Sequence, residues 1–182
     1  MSKDKIRSDI IQKRNLLTEE FIEKNSNIII GNLKTYIEKA QNIMIFMDMK
    51  NEVKITKLIN LYLHKNFYIP KIFPDGDMKI NMYNEKDLVL HKFGYYESNS
   101  PVFYNENILE LVIVPAVAFD KSKNRIGFGK GYYDRFLHKI GGNPNKTLNI
   151  GICYDFQLLD EIPFENHDIK VDFVITEKRT IY

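Results

Sequence analysis

The segment that decides the fold runs from Leu109 to Leu137 and reads LELVIVPAVAFDKSKNRIGFGKGYYDRFL. It opens with an apolar, β-branched run over residues 109–114, which predicts a central strand covered on both faces. A polar turn at 120–124 and a glycine-rich loop follow, and a helix is predicted over 132–140. Because ligands of α/β proteins lie beyond the carboxyl ends of strands, this order places the loop at the expected ligand-binding edge.

The glycine-rich loop has the parts of a polyphosphate site. Its glycines alternate over residues 127–131 around Lys130, with Arg125 before them and Asp134 after them. Glycine permits positive φ and a close ligand approach, and N–H groups at a following helix start can bind an anion. The pattern is neither the P-loop nor the dinucleotide fingerprint. Spacing alone leaves open an ordinary turn that leads into a helix, but the flanking charges favour a phosphate site with Asp134 near magnesium.

Hydrophobic periodicity predicts the other elements on both sides of this segment. Helices are predicted over residues 3–17, 18–37 and 53–63, strands over 42–47, 67–71, 78–82, 148–154 and 171–176, and a loop over 94–101. Strands that alternate with helices indicate the α/β class with a largely parallel central sheet. We expect a Rossmann-like, three-layer sandwich that forms one domain over residues 1–182.

Composition narrows the class of protein. The net charge is only +2, which argues against a dedicated nucleic-acid binder. The most apolar stretch, residues 111–119, is too short to span a bilayer, and the chain start lacks the pattern of a secretory signal. A single cysteine, Cys153, excludes an internal disulfide and suits a reducing compartment. We therefore expect a cytoplasmic protein, monomeric, with a buried and inert thiol and without nucleic-acid or membrane partners.

Charged residues outside the loop have two interpretations each. Lys3 and Arg7 lie one helical turn apart and point the same way, so they either meet phosphates or form a solvated helix face. Glu52 follows a predicted strand and precedes a predicted helix, where it either caps backbone donors or holds a ligand. Position alone does not separate these roles.

Two aspartates are candidate magnesium ligands. Asp134 and Asp172 are distant in sequence, but Mg²⁺ takes one or two protein carboxylates together with phosphates and water. Alternatively, Asp134 lies in the first turn of its helix and interacts favourably with the helix dipole, and Asp172 pairs with Lys170. The histidines show no metal-ligand spacing, and His167 beside Asp168 predicts a structural turn. No serine nucleophile elbow is present.

Several segments together resemble the 5-formyltetrahydrofolate cyclo-ligase family, also called methenyltetrahydrofolate synthetases. They are KDKIR at 3–7, MDMKNEVKIT at 47–56, VPAVAFD at 114–120, NRIGFGKGYYDRFL at 124–137 and HDIKVDFVITE at 167–177. The resemblance covers nearly the whole chain, and the 124–137 segment is its most specific part.

The resemblance implies three sets of site residues, with catalytic roles for Arg125, Lys130 and Glu52. The implied ATP-binding residues are Lys3, Arg7, Arg125, Ile126, Gly127, Phe128, Gly129, Lys130, Gly131, Tyr132 and Tyr133. The implied folate-binding residues are Met47, Glu52, Phe128, Gly129, Lys130, Gly131 and Tyr132, and the implied magnesium ligands are Asp134 and Asp172. Tyr132 and Tyr133 either stack on the pterin or adenine or wedge the helix into the core.

Two positions depart from the family pattern. Ala116 stands where the family often has glycine, which affects the local turn. Phe128 stands where relatives carry arginine or tyrosine, so a cation or a hydroxyl is missing beside the substrate.

The activity that the resemblance implies is an ATP- and magnesium-dependent ligation. The formyl oxygen of 5-formyltetrahydrofolate would attack the γ-phosphorus of ATP, N10 would close the ring, and 5,10-methenyltetrahydrofolate, ADP and phosphate would leave. No protein nucleophile is required, which agrees with the absence of a nucleophile motif.

Two rival functions remain open at the level of sequence. One is another sugar-phosphate or acyl-group enzyme on a similar α/β scaffold, because fold does not fix chemistry. The other is a nucleotide-sensing or RNA-binding module, which would show steeply salt-dependent binding and no turnover.

Overall fold

The structure is a computed structural model that describes residues 1–92, 94–142 and 146–182. Its helices are α1 (Lys3–Asn15), α2 (Glu19–Lys39), α3 (Lys57–Leu61) and α4 (Tyr132–Ile140). Its strands are β1 (Asn42–Met44), β2 (Asn66–Ile72), β3 (Met78–Met82), β4 (Leu88–Leu90), β5 (Tyr96–Ser98), β6 (Leu111–Pro115), β7 (Ala118–Asp120), β8 (Arg125–Ile126), β9 (Leu148–Ile152), β10 (Leu158–Leu159), β11 (Phe173–Ile175) and β12 (Thr180–Ile181).

A seven-stranded sheet in the order β12-β11-β9-β6-β1-β2-β3 forms the centre of the molecule. The pairs from β11 to β2 are parallel, and β12 and β3 join antiparallel at the two edges. The predicted α/β class and largely parallel sheet are therefore confirmed. Three-stranded (β10-β7-β8) and two-stranded (β4-β5) sheets accompany it.

The central strand β6 carries apolar side chains on both faces, as its continuous apolar run predicts. Leu111 and Ile113 pack in one buried cluster with residues of α2, whereas Val112 and Val114 pack in another cluster with residues of α4. Side chains alternate across a strand, so this split follows directly from the sequence of the run. Helices α2 and α4 consequently cover opposite faces of the sheet.

Two helices begin directly after a residue whose hydroxyl caps the helix. The Ser2 hydroxyl accepts a hydrogen bond from the Lys5 amide at the start of α1, and the Thr18 hydroxyl accepts one from the Phe21 amide at the start of α2. Helix α4 spans the predicted residues.

The helix predicted over residues 53–63 is shorter, because tertiary hydrogen bonds hold its first part in another conformation. The Lys54 amide donates to the Ser26 hydroxyl and the Thr56 amide donates to Asp48 Oδ1. These N–H groups are bound outside any helix, and α3 begins only at Lys57. The apolar spacing of Ile55 and Leu58 reflects burial in the core rather than a helix face.

The sequence did not predict the hairpin of β7 and β8, which delivers the glycine-rich loop. Asp120 is fully buried, and its carboxylate accepts hydrogen bonds from the backbone and side-chain amides of Asn124 and from the Ile162 amide. This buried aspartate closes the predicted polar turn. A second correction concerns residues 94–101, predicted as a loop, which contain strand β5.

The single cysteine is buried, as predicted. Cys153 is 2% exposed within the cluster that includes α4, and burial raises the pKa of its thiol. A thiol that stays protonated is a poor nucleophile.

Candidate active site at the glycine-rich loop

A cavity of about 1610 Å³ opens at the carboxyl ends of β1, β2 and β6. Phe46, Ile72 and Pro115 lie on its wall at these strand ends, together with residues 127–131. Parallel strands that end at one edge leave such a crevice, so the loop lies where the sequence placed it.

The glycine-rich loop, residues 127–131, turns sharply into α4. Gly129 has φ +91° and Gly131, the cap residue of α4, has φ +67°. Residues with a Cβ rarely adopt such angles. Gly131 has no side chain that could cap this helix start, so the capping residue offers no side-chain acceptor to the first N–H groups.

Helix α1 places Arg7 directly on the loop. The Arg7 Nε atom donates to the Gly127 carbonyl at 2.8 Å, and its guanidinium carbon lies 3.5 Å from where a Cβ of Gly129 would be. Arg7 also pairs with Asp4 on its own helix. The structure therefore brings Arg7 to the loop, as the ATP-site prediction requires.

Lys3 also lines the cavity but is held by acidic residues. Its Nζ lies 2.6 Å from Asp168 Oδ2 and 3.1 Å from Glu165 Oε1. Partial burial lowers the pKa of Lys3, but the hydrogen bonds to Asp168 and Glu165 raise it by more. The pKa of Lys3 therefore lies above its usual value. The amide of Glu165 also donates to Asp168, which confirms the structural turn predicted beside His167.

A buried ion pair of Arg125 and Asp134 lies at the base of the loop. Arg125 Nη2 lies 2.9 Å from Asp134 Oδ2, and Arg125 is only 6% exposed. Three polar atoms here are buried without a partner among the described residues: Arg125 Nε, Asp134 Oδ1 and the Tyr133 hydroxyl. Buried polar atoms are rarely left unpaired, so this group points to a ligand.

Tyr133 contributes a ring as well as its free hydroxyl. The Arg125 guanidinium carbon lies 5.6 Å from the centre of this ring, within cation–π distance. Burial raises the pKa of Tyr133, so the hydroxyl keeps its proton and remains a donor.

The second predicted carboxylate, Glu52, lies on another wall of the cavity and is 7% exposed. Its Oε2 accepts from the Met49 amide at 2.9 Å, and its Oε1 lies 3.2 Å from Arg14 Nη2. Burial raises the pKa of Glu52, while Arg14 and the Met49 amide oppose that rise. The capping and ligand interpretations of Glu52 are both compatible with this position.

Phe128 and Lys130 are the exposed members of the loop. Phe128 is 49% exposed, and the Arg14 guanidinium carbon lies 5.9 Å from its ring centre. Arg14 thus brings a cation near the position where the sequence lacks one. Lys130 is exposed and makes no ion pair with any residue in the described ranges.

The other predicted site residues also line the cavity, with one exception. Met47, Ile126 and Tyr132 are on its wall, although Ile126 is buried against Ile6 of α1. Asp172 is not on the wall.

The structure does not bring the second predicted magnesium ligand, Asp172, to the cavity beside Asp134, because the strand register places it elsewhere. Its carboxylate accepts from the Asn149 amide at 2.8 Å, near the start of β9. The cavity lies beyond the far end of β9, about 10 Å along the strand. Among residues 1–92, 94–142 and 146–182, no group of three or more His, Cys, Asp or Glu side chains is placed to hold a metal ion.

Several residues at the cavity, or next to it, were not predicted from the sequence. Arg14 could have been found, because it repeats the four-residue spacing of Ile6 and Ile10 on the buried face of α1. A cation on an apolar stripe signals a buried partner. Residues 91–92 and 95–97 also line the cavity, and no local pattern in the sequence marks them. Arg135 lines it too and lies within the 124–137 segment, but no role was predicted for it.

Comparison with known proteins gives one consistent result. The family model described as the 5-formyltetrahydrofolate cyclo-ligase family matches residues 1–177. A 5-formyltetrahydrofolate cyclo-ligase of Mycolicibacterium smegmatis is 30% identical over 99% of this chain and 96% of its own length. The enzyme of that name from Escherichia coli K12 is 28% identical over 93% of this chain and 97% of its own.

Solved structures agree with this result. The 5,10-methenyltetrahydrofolate synthetase of Aquifex aeolicus superposes with a TM-score of 0.85 and 32% identity, covering 99% of this chain and 92% of its own. The Mycoplasma pneumoniae 5,10-methenyltetrahydrofolate synthetase has a TM-score of 0.77 and 25% identity, covering 97% of this chain and 99% of its own.

Proposed function

The chain belongs to the 5-formyltetrahydrofolate cyclo-ligase family, and we propose that its glycine-rich loop and cavity hold both substrates of that reaction side by side. It is an ATP-dependent ligase that cyclises 5-formyltetrahydrofolate to 5,10-methenyltetrahydrofolate. The active unit that we propose is one domain over residues 1–182.

The proposed chemistry activates an inert amide by phosphorylation. The formyl oxygen attacks the γ-phosphorus of ATP, and the bond from that phosphorus to the bridging oxygen breaks, so that ADP leaves. N10 then attacks the formyl carbon, and the phosphate departs with the former formyl oxygen and the N10 proton. The protein has only to position two ligands and neutralise charge, as in other phosphoryl transfers.

One observation carries the proposal: the Arg125–Asp134 pair and the Tyr133 hydroxyl together leave three buried polar atoms without a partner among the described residues. Lys130, which makes no ion pair with any described residue, lies on the same loop. The residues that carry these atoms line a cavity of about 1610 Å³, which has room for a nucleotide and a reduced folate together. The reaction needs no nucleophilic side chain. The one cysteine, Cys153, is buried and does not line the cavity.

The nucleotide is proposed to lie along α1 and the loop. Lys3, Arg7, Arg125 and Lys130 provide positive charge, and N–H groups of residues 127–131 donate to the transferred phosphoryl group. The full set proposed for ATP is Lys3, Arg7, Arg125, Ile126, Gly127, Phe128, Gly129, Lys130, Gly131, Tyr132 and Tyr133.

The folate is proposed to lie against Met47, Glu52 and the other side of the loop, residues 128–132. A carboxylate offers about four lone-pair sites, so Glu52 can accept a donor from the pterin or N10 region in addition to its own partners. In this arrangement Glu52 orients the folate and does not act as a nucleophile.

Asp134 is the carboxylate that we propose to hold magnesium. Its Oδ1 is buried and unpaired, and magnesium commonly uses one protein carboxylate with phosphates and water. A bound magnesium ion would neutralise phosphate charge there, while Arg125 keeps the other carboxylate oxygen in place.

A spectroscopic assay tests the function. Mixing the protein with 5-formyltetrahydrofolate and Mg-ATP should produce the methenyl chromophore, and omitting ATP should abolish it. Absence of the chromophore with a folded protein would refute the proposal.

Lys130→Ala in the same assay tests the catalytic role of the loop. Turnover should fall at least ~10-fold, because one preorganised charged donor is commonly worth 2–4 kcal/mol in the transition state. Lys121→Ala, which removes an exposed cation paired with Asp160 outside the cavity, is the control and should retain activity. Equal rates in both variants would remove Lys130 from the mechanism.

We infer a reducing, cytosolic setting from the single buried cysteine. No helix among the described residues is long and apolar enough to cross a membrane. A monomeric state and the absence of nucleic-acid partners remain predictions from the sequence.

A further inference from the structure

Most cations on the cavity wall are already balanced by a carboxylate. Lys3 pairs with Asp168, Arg7 with Asp4, and Arg125 with Asp134. Arg135 also lines the cavity, but its guanidinium has no carboxylate partner in the described part of the chain. An anion that enters the cavity therefore meets uncompensated charge at Arg135, as it does at Lys130.

The Arg135 side chain is held in place by the turn between β2 and β3. Its Nε and Nη2 atoms donate to the Gly76 carbonyl at 3.3 and 3.0 Å. Its guanidinium carbon lies 5.4 Å from the centre of the Tyr132 ring, within cation–π distance. These contacts fix the plane of the guanidinium group without neutralising it.

The remaining nitrogen, Nη1, is directed at the glycine-rich loop. It lies 3.0 Å from the position that a Cβ of Gly131 would occupy. Gly131 is the cap residue of α4 and offers no side-chain acceptor to the first N–H groups. The free edge of the guanidinium and these backbone donors therefore converge on the same part of the cavity.

Gly76 is required for this arrangement. Its φ is +87°, and a Cβ there would lie 2.7 Å from Arg135 Nη2, closer than real contacts allow. The turn itself is well formed, since the Gly76 amide donates to the Phe73 carbonyl and the Phe73 amide donates to the Asp77 carbonyl. The hairpin turn is thus shaped to receive the guanidinium.

We propose that Arg135, preset by the Gly76 carbonyl, binds a phosphate of the nucleotide and so sets nucleotide affinity. The inference rests on the proposed function. A planar guanidinium with one edge free suits phosphate oxygens, and charge-assisted hydrogen bonds are the strong ones. The carboxylates of a folate would be the other anionic partner, but Nη1 lies beside the start of α4, whose N–H groups favour a phosphate.

Kinetics of Arg135→Gln test the proposal, with the KM for ATP and the KM for folate measured separately. The ATP KM should rise ~10-fold or more, because a hydrogen bond to a charged group is lost, while the folate KM stays unchanged. Nucleotide binding in the absence of folate should weaken by the same factor. Arg135→Lys, which keeps the charge but loses the planar edge, should show a smaller effect.

Lys139→Gln is the charge-matched control, because Lys139 lies on the same helix and pairs with Glu106 outside the cavity. It should leave both KM values unchanged. A selective rise in the folate KM for Arg135→Gln, or no change in either KM, would overturn the proposal. Failure of the wild-type protein to turn over would instead refute the proposed function.

Gly76→Ala tests whether the turn presets Arg135. It should raise the ATP KM in the same way, and combining it with Arg135→Gln should add little further effect. Gly94→Ala is the control for backbone strain, since Gly94 has φ +82° but nothing within 4 Å of a Cβ. If both alanine variants change the ATP KM equally, or if the Gly76 and Arg135 effects add fully, the turn has no role in positioning Arg135.

Discussion

Two arginine–carboxylate pairs contribute to the cavity wall, Glu52 from one pair and Arg125 and Asp134 from the other, and they differ in which polar atoms lack a partner. In the Arg14–Glu52 pair both carboxylate oxygens have protein partners, Arg14 itself and the Met49 amide. In the Arg125–Asp134 pair one carboxylate oxygen and the guanidinium Nε are buried without partners in the described residues. Both pairs join an arginine to a carboxylate, but only the Arg14–Glu52 pair has a protein partner for each carboxylate oxygen.

This difference separates support from ligand binding. Leaving a buried polar atom unpaired costs roughly 1–3 kcal/mol, so the fold retains unpaired atoms at Asp134 and Arg125 at a cost that a ligand would offset. In the Arg14–Glu52 pair both carboxylate oxygens have partners, and these contacts fix the position of the Glu52 carboxylate. We therefore expect the Arg14–Glu52 pair to contribute chiefly to stability and orientation, and the Arg125–Asp134 pair chiefly to binding of metal and phosphate.

The largest expected effect is loss of stability in Arg14→Met. The change leaves Glu52 buried without its counter-ion, which typically costs about 3–5 kcal/mol. Urea unfolding measures the free energy of unfolding. The double variant Arg14→Met/Glu52→Gln should recover part of the loss, because no unpaired charge remains.

Lys13→Met is the control for this change, since Lys13 is the exposed neighbour of Arg14 on α1. It should alter the free energy of unfolding by less than about 0.5 kcal/mol. If Arg14→Met is equally mild, the pair does not support the fold and the contrast with Arg125–Asp134 disappears.

The next effect concerns magnesium at Asp134. Asp134→Asn should raise the Mg²⁺ concentration needed for half-maximal nucleotide binding by at least ~10-fold, because a first carboxylate ligand is lost. Calorimetric titration of nucleotide at several Mg²⁺ concentrations measures this directly. Asp172→Asn removes a carboxylate charge near the start of β9 and should leave the Mg²⁺ requirement unchanged. If both variants raised the Mg²⁺ requirement equally, Asp134 and Asp172 would share one magnesium ion, against the strand register.

The smallest kinetic effect is expected for Glu52→Gln. Glutamine keeps an acceptor but loses the charge, so the folate KM should rise about tenfold, the lower end for a hydrogen bond to a charged group. The ATP KM should stay unchanged, since Glu52 is assigned to the folate side of the cavity. A loss of nucleotide affinity instead would contradict this division of the cavity.

Glu52→Gln should also change how the free energy of unfolding depends on pH. Burial raises the pKa of Glu52 above 4.5, so the folded chain binds this proton more readily than the unfolded chain. The stability from this group is then present below pH 4.5 and is lost as the pH rises through the folded pKa. In urea unfolding at a series of pH values, wild type should lose stability relative to Glu52→Gln as the pH rises above 4.5.

Particular residues show how far the sequence predicts this molecule. The apolar run of β6 predicted a central strand that is buried on both faces, and the alternating glycines predicted a loop at the carboxyl edge of the sheet. Both predictions are confirmed. These features depend on neighbours in the chain, so local periodicity reveals them. The helix expected over 53–63 was too long because Ser26 and Asp48, distant in sequence, bind its first amides.

By itself, the sequence determined the α/β class, the place of the glycine-rich loop and the residue types around it. Only the tertiary structure decided which charges meet: Arg125 with Asp134, Glu52 with Arg14, and Asp172 with the start of β9. The physical reason is distance. Hydrophobic burial follows a pattern along the chain, whereas ion pairs and unpaired polar atoms depend on separations of a few ångströms that the folded strands and helices set.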